Sequence, residues 1–108
     1  MKTLSRDELN EKLGNDFDGV IVEVLEPKYY RKFHLPGAIN VPLGEDFEER
    51  IREAVPDKSK PVVVYCMDAE CQASPKAAQR MEGLGYQQVY DYEAGKMDWK
   101  EAGLPVQT

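Results

Sequence analysis

Short apolar runs rich in β-branched residues alternate along this chain with segments whose apolar residues recur at helical spacing. The runs at residues 20–25 and 61–65 are apolar at nearly every position, which is typical of strands buried in a parallel sheet. Two further strands are predicted at 38–41 and 87–92, and helices at about 5–13, 28–33, 45–55, 74–85 and 96–102. The alternation predicts an α/β fold in which a small parallel sheet of about five strands carries helices on both faces.

Length and charge exclude several classes of function. A chain of 108 residues is expected to form one domain, here residues 1–108, with a core of its own. Its formal net charge of −6 disfavours nucleic acid as a partner. No apolar segment is long enough to suggest a membrane span, and residues 1–7 lack the apolar centre of a signal peptide. A cytoplasmic protein is therefore expected.

The chain has two cysteines, Cys66 at the end of the run 61–65 and Cys71 in the polar segment that follows. Because cytosolic thiols are normally kept reduced, the two cysteines are interpreted as reactive thiols rather than as a structural disulfide. With His34 as the only imidazole, the chain has no metal-binding motif. No cofactor is implied.

Cys66 is the candidate nucleophile. Ligands bind beyond the carboxyl ends of parallel strands, so a cysteine that ends such a strand lies where a reactive thiolate is expected. Ser74 and Pro75 are typical of a helix N-cap followed by proline at the first helical position, which would direct free backbone N–H groups toward the loop. On these residues alone, the alternative is that Cys66 is a small buried apolar residue.

Three segments resemble one protein family. Residues 22–27 read VEVLEP with Tyr30 close behind, residues 34–43 read HLPGAINVPL, and residues 95–106 form the third segment. Over nearly its whole length the chain is similar to single-domain rhodaneses, sulfurtransferases that carry a persulfide on one cysteine. The resemblance implies that Cys66 attacks a sulfane sulfur, holds it as a persulfide and passes it to a thiol acceptor. It also implies a cradle made by the backbone amides of Met67, Asp68, Ala69, Glu70, Cys71 and Gln72.

The loop after Cys66 departs from the family's usual pattern. Asp68 and Glu70 make it acidic and it carries no arginine, whereas rhodaneses that accept thiosulfate usually have cationic side chains there. Each carboxylate a few ångströms from a thiosulfate dianion opposes its binding by about 1 kcal/mol, so a persulfide is favoured over thiosulfate as the small sulfur donor. Glu23 and Leu25 stand where the family usually has aspartate and arginine, which predicts that a familiar ion pair near the site is lost.

Cys71 makes the chain similar to the rhodaneses that have a second cysteine in the active-site loop. It is a candidate resolving thiol, which would form a disulfide with Cys66 or receive its sulfur if the two Cα atoms lie within about 7 Å. The alternative is a packing residue that faces the interior.

Three functions stay open. The first is a sulfurtransferase or sulfane-sulfur carrier, whose partners are a small sulfur donor and a thiol acceptor that is a small molecule or a partner protein. The second is a thiol/disulfide redox element that works through Cys66 and Cys71. The third is a binding or regulatory module that keeps the fold without turnover. Phosphatase chemistry is disfavoured because Gln72 stands where a cation would have to neutralise the phosphoryl oxygens.

His34 and the larger aromatic residues are interpreted as structural. His34 lies in the predicted turn at 34–37, where a hydrogen bond near the sheet is a simpler role than catalysis. Core or half-buried positions are predicted for Tyr86, Tyr90, Tyr92 and Trp99.

Overall fold

The computed structural model describes residues 1–108 and contains five parallel strands in the order β1-β5-β4-β2-β3. The elements are β1 (Lys2–Thr3), α1 (Arg6–Gly14), β2 (Val20–Glu23), α2 (Pro27–Lys32), β3 (Ile39–Asn40), α3 (Phe47–Ala54), β4 (Val62–Tyr65), α4 (Ala73–Gly83), β5 (Val89–Tyr92) and α5 (Gly95–Glu101). The predicted α/β fold is confirmed. None of the helices combines the length and apolar character that crossing a membrane requires.

Side chains that alternate along β4 enter two separate cores. Val62 and Val64 pack on the face that α3 and α4 cover, while Val63 and Tyr65 pack on the opposite face. The first core also contains Phe47, Ile51, Ala77 and Met81, and the second contains Leu9, Tyr92 and Trp99. Burial of one such side chain stabilises the fold by about 1.5–3 kcal/mol. The two cores therefore fix β4 at the centre of the sheet and with it the start of the loop that follows.

The first helix begins with the predicted capping box. The Glu8 amide donates to Ser5 Oγ at 3.1 Å, and the Ser5 amide donates to Glu8 Oε1 at 2.9 Å. Two of the amides that lack a helical partner are satisfied in this way, so the start of α1 is encoded locally.

The strand β1 is not predicted from the sequence. Lys2 and Thr3 are exposed and polar, so they carry no apolar signal. They form a strand because their backbone pairs in parallel with Tyr90 and Asp91 at the edge of the sheet.

The predicted N-cap of α4 is wrong. This helix begins at Ala73 with Gln72 in the N-cap position, and no side chain caps it. Ser74 lies inside the first turn, only 1% exposed, and its hydroxyl contacts the sulfur of Cys66 instead of the helix amides. Pro75 still fits because amides in the first turn have no helical partner to lose.

The predicted burial of the aromatic residues is confirmed. Tyr86, Tyr92 and Trp99 are buried, and Tyr90 is half-buried. Trp99 Nε1 donates to the carbonyl of Pro105 at 2.8 Å, which ties the segment after α5 to the core.

Candidate active site

Cys66 directly follows β4 at the carboxyl end of the sheet, where the sequence predicts it. It is only 1% exposed and belongs to the core that packs against α4. Its Sγ lies 3.6 Å from Ser74 Oγ in the first turn of α4. The N-terminus of a helix favours an anion, so the fold places this sulfur where a thiolate would be stabilised.

The backbone of the loop is held by the start of α5. The Lys96 amide donates to the Cys66 carbonyl at 3.0 Å, and the Met97 amide donates to the Met67 carbonyl at 3.0 Å. This contact requires glycine at position 95, where φ is +79° and an added Cβ would lie 2.5 Å from the Asp68 backbone nitrogen. The sequence places Gly95 in the family pattern without revealing this role, which depends on two segments far apart in the chain.

The acidic side chain of Asp68 organises the middle of the loop. Its Oδ1 accepts from the amides of Glu70 and Cys71, both at 3.1 Å. Two of the amides assigned to the anion cradle are therefore occupied by a carboxylate of the loop itself. Asp68 and Glu70 are exposed, so the surface around the cysteines is negative.

Cys66 and Cys71 are joined in a disulfide, with their Cα atoms 6.4 Å apart. The loop across this five-residue separation therefore folds so that the two Cα atoms lie within the distance that a disulfide bond allows. Cys71 is half-buried, and it lines a shallow cleft of about 260 Å³. The cleft is formed by Ala69, Cys71, Gln72, Ser74, Pro75 and Glu93.

A buried ion pair lies at the same end of the sheet. Lys96 Nζ is 3.2 Å from both carboxylate oxygens of Glu23 and donates to the carbonyls of Tyr29 and Phe33 at 2.7 Å. The Tyr65 hydroxyl donates to Glu23 Oε1 at 2.9 Å. The familiar pair cannot form because position 25 is leucine, but Glu23 is not left unpaired, because Lys96 from α5 supplies a cation that the sequence did not reveal. An acidic residue inside an apolar strand was the signal that a buried partner exists.

Burial works against both charges of this pair. It raises the pKa of Glu23, and Lys96 and Tyr65 oppose that rise. It lowers the pKa of Lys96, which Glu23 opposes. The pKa of the Tyr65 hydroxyl is raised, first by burial and then by the charge of Glu23, so Tyr65 is a neutral donor to the carboxylate.

His34 lies in a buried structural position. Its Nδ1 is 2.9 Å from the carbonyl of Tyr30, and its ring stacks on the Tyr30 ring at a centroid distance of 3.8 Å. Its backbone pairs with Gln107. These contacts support the structural interpretation of the imidazole.

One more buried polar side chain, on the face of the sheet whose core contains Cys66, was not singled out by the sequence. Asp91 on β5 is 0% exposed, and neither of its carboxylate oxygens has a hydrogen-bond partner. A carboxylate in the middle of an otherwise apolar and aromatic strand was the available signal.

Comparison with known proteins gives a consistent result. A family model described as a rhodanese-like domain matches residues 5–102. The chain is 41% identical over 68 residues to the thiosulfate sulfurtransferase PspE of Escherichia coli, covering 63% of this chain and 62% of that protein. It is 35% identical over 86 residues to an HTH-type transcriptional regulator of Mycobacterium tuberculosis, covering 80% of this chain and 36% of the regulator. The chain thus spans less than two thirds of the length of either relative.

A solved structure agrees at the level of the fold. The rhodanese-like domain of an Anabaena protein superimposes with a TM-score of 0.85 at 23% sequence identity, covering 99% of this chain and 79% of that one. At this identity the agreement concerns the arrangement of helices and strands alone.

Proposed function

The chain belongs to the family of rhodanese-like domains, and from this premise we propose that it is a sulfurtransferase or sulfane-sulfur carrier with Cys66 as its nucleophile. The position of Cys66 carries the proposal. It opens the loop between the central strand β4 and α4, with its Sγ 3.6 Å from a side chain in the first turn of that helix. A thiolate is stabilised and a sulfane sulfur can be held at such a place.

The proposed transfer has two steps. The Cys66 thiolate attacks the outer sulfur of a persulfide donor RSSH, the donor's S–S bond breaks, and RS⁻ leaves while Cys66 carries the SSH group. An acceptor thiolate then attacks the outer sulfur of Cys66, which forms a new persulfide and regenerates the Cys66 thiolate. The acceptor is a small thiol or a partner protein.

Cys71 gives this cycle a second outcome. The Cys71 thiolate attacks the inner sulfur of the Cys66 persulfide and expels HS⁻, which closes the Cys66–Cys71 disulfide. A dithiol reductant supplies two electrons to reopen it. Because the disulfide blocks the nucleophile, only the reduced protein accepts sulfur.

The negative surface favours persulfide over thiosulfate as the donor. Asp68 and Glu70 are exposed on the loop, and Glu93 lines the cleft beside Cys71. A dianion placed a few ångströms from these groups is repelled by at least about 1 kcal/mol for each carboxylate. This chain is therefore proposed to differ in donor from a relative such as PspE, which is named for thiosulfate.

Intact-mass spectrometry tests the nucleophile and the donor together. The reduced protein is exposed separately to a low-molecular-weight persulfide and to thiosulfate, and Cys66→Ser is compared with Cys71→Ser as its matched control. We expect Cys71→Ser to gain the mass of one sulfur from the persulfide and little from thiosulfate, while Cys66→Ser gains none. The wild type should gain the same mass or, where Cys71 closes the disulfide, lose the mass of two hydrogens. Equal loading of Cys66→Ser, or an unchanged mass of Cys71→Ser with both donors, contradicts the proposal.

A thiol/disulfide redox element is the second candidate, and the Cys66–Cys71 disulfide favours it. Free thiols are counted after mild oxidation of the reduced protein and again after treatment with a dithiol. We expect the wild type to lose both thiols and recover both, and monomeric Cys71→Ser to keep its single thiol. Two thiols that persist in the wild type would eliminate this candidate. Reversible disulfide formation without any sulfur loading would select it over sulfur transfer.

A further inference from the structure

Asp91 is a buried carboxyl group that the proposed function does not use. It lies within β5 and is 0% exposed, and neither oxygen has a hydrogen-bond partner. A buried polar group without a partner destabilises a fold by about 1–3 kcal/mol. A buried carboxyl group without a partner therefore requires a physical explanation.

Asp91 lies on the same face of the sheet as the core that contains Cys66. Across the sheet Asp91 is paired with Thr3 on β1 and Val64 on β4. Val64 belongs to the core that also contains Cys66, so Asp91 lies on the face covered by α4. Ser74 lies on that helix and is 1% exposed, and its hydroxyl oxygen is 3.6 Å from Cys66 Sγ.

Its surroundings favour the neutral form of Asp91. Burial raises the pKa of its carboxyl group, the nearby Ser74 hydroxyl opposes that rise, and the negative charge of Glu93 adds to it. The helix that carries Ser74 packs against the strand that carries Asp91, although no hydrogen bond joins the two side chains. Thr3 and Val64 do not titrate, so Glu93 is the charged neighbour on this face.

We propose that Asp91 is a positioning residue for the sulfur of Cys66 and acts through Ser74. In its protonated form Asp91 donates a hydrogen bond to Ser74 Oγ, which directs the hydroxyl hydrogen of Ser74 at Cys66 Sγ. This hydrogen stabilises the Cys66 thiolate, and the persulfide made from it, without adding a charge to the site. The inference rests on the proposed function in taking Cys66 as the reacting sulfur.

The opposite protonation state makes the opposite prediction. An ionised Asp91 would accept the hydrogen of Ser74 and leave Cys66 without that donor. Its negative charge would also raise the pKa of the Cys66 thiol. The two states are therefore distinguished by how the thiol responds when the carboxyl group is replaced.

The test is a pH titration of the Cys66 thiolate by its ultraviolet absorbance. All variants carry Cys71→Ser, so that Cys66 is the single thiol. We expect Ser74→Ala to move the titration midpoint up by about one pH unit, and Asp91→Val to move it in the same direction. Asp91→Asn should keep the parent midpoint, because its amide also donates to Ser74 Oγ. Near-ultraviolet circular dichroism verifies that each variant is folded.

Three results would overturn the proposal. The first is a lower midpoint in Asp91→Asn, which is the response expected of an ionised Asp91. The second is an unchanged midpoint in folded Asp91→Val, which would leave Ser74 acting alone. The third needs no variant: a carbon-13 carboxyl shift of Asp91 typical of the ionised form at the pH of the assay. No sulfur donor is used, so failure here is distinct from failure of sulfur loading.

Discussion

Lys96→Ala is expected to lower the free energy of unfolding by about 3–5 kcal/mol. The substitution leaves the Glu23 carboxylate, which is 0% exposed, without the ammonium group 3.2 Å away. It also removes the donor to the carbonyls of Tyr29 and Phe33, which join α2 and the segment after it to α5. Equilibrium unfolding in urea measures the loss.

Two control variants distinguish the effect of breaking the buried ion pair from the effect of removing a charge at the surface. Arg50→Ala breaks the exposed ion pair between Arg50 on α3 and Asp46 at the N-cap position of that helix and should lower stability by only about 0–1 kcal/mol. Combining Lys96→Met with Glu23→Gln removes both charges and should recover much of the loss caused by Lys96→Ala. A loss in Lys96→Ala no larger than that in Arg50→Ala would contradict this account.

The deficit of Lys96→Ala should also depend on pH. Burial raises the pKa of Glu23, and the charge of Lys96 is the first cause that opposes the rise. Without Lys96, the folded-state pKa lies further above the unfolded value, so protonation of Glu23 favours the folded state. That stabilisation is fully present below the unfolded pKa and is lost as pH rises through the folded pKa. The deficit relative to the wild type should therefore be smaller near pH 4 than at pH 7.

The sequence predicts best where local pattern and tertiary packing agree. Strands β2 and β4 are found because their β-branched residues fill both faces of the sheet. The start of α1 is found because the Ser5–Glu8 capping box is local. The place of Cys66 follows from the end of β4, and the family match carries the assignment to rhodanese-like domains.

What the sequence leaves undetermined depends on contacts between distant segments. Ser74 has the side chain of an N-cap, and only the packing of α4 on β4 shows that its hydroxyl lies beside Cys66. Glu23 and Lys96 are 73 positions apart, so each looks unpaired in the sequence. Asp91 is identified as a buried carboxyl group only when β5 is placed between β1 and β4.

Gly95→Ala is expected to disrupt the loop that follows Cys66. Its Cβ would lie 2.5 Å from the Asp68 nitrogen and 2.6 Å from the carbonyl carbon and oxygen of Met67, and these backbone atoms cannot rotate away as a side chain would. The positive φ of +79° adds strain for any residue with a Cβ. Together the clash and the strain should lower the free energy of unfolding by roughly 2–5 kcal/mol.

Gly103→Ala is the matched control for this substitution. Gly103 has nearly the same backbone conformation, with φ at +80°, but no atom lies within 4 Å of an added Cβ. It should lower stability by about 1–2 kcal/mol through backbone strain alone. The difference between the two variants in urea unfolding therefore isolates the contact between α5 and the loop. Equal losses in the two variants would show that this contact does not constrain the loop.

The same pair of variants connects the loop contact to the proposed chemistry. To relieve the clash, α5 must move away from the carbonyls of Cys66 and Met67, which breaks the bonds from the Lys96 and Met97 amides. A displacement of about 1 Å at a reacting group lowers a rate by roughly a hundredfold. We therefore expect Gly95→Ala to accept sulfur from a persulfide about a hundredfold more slowly under conditions where it is folded, with Gly103→Ala close to the wild type. Similar loading rates in both would mean that Cys66 is positioned by β4 and α4 without α5.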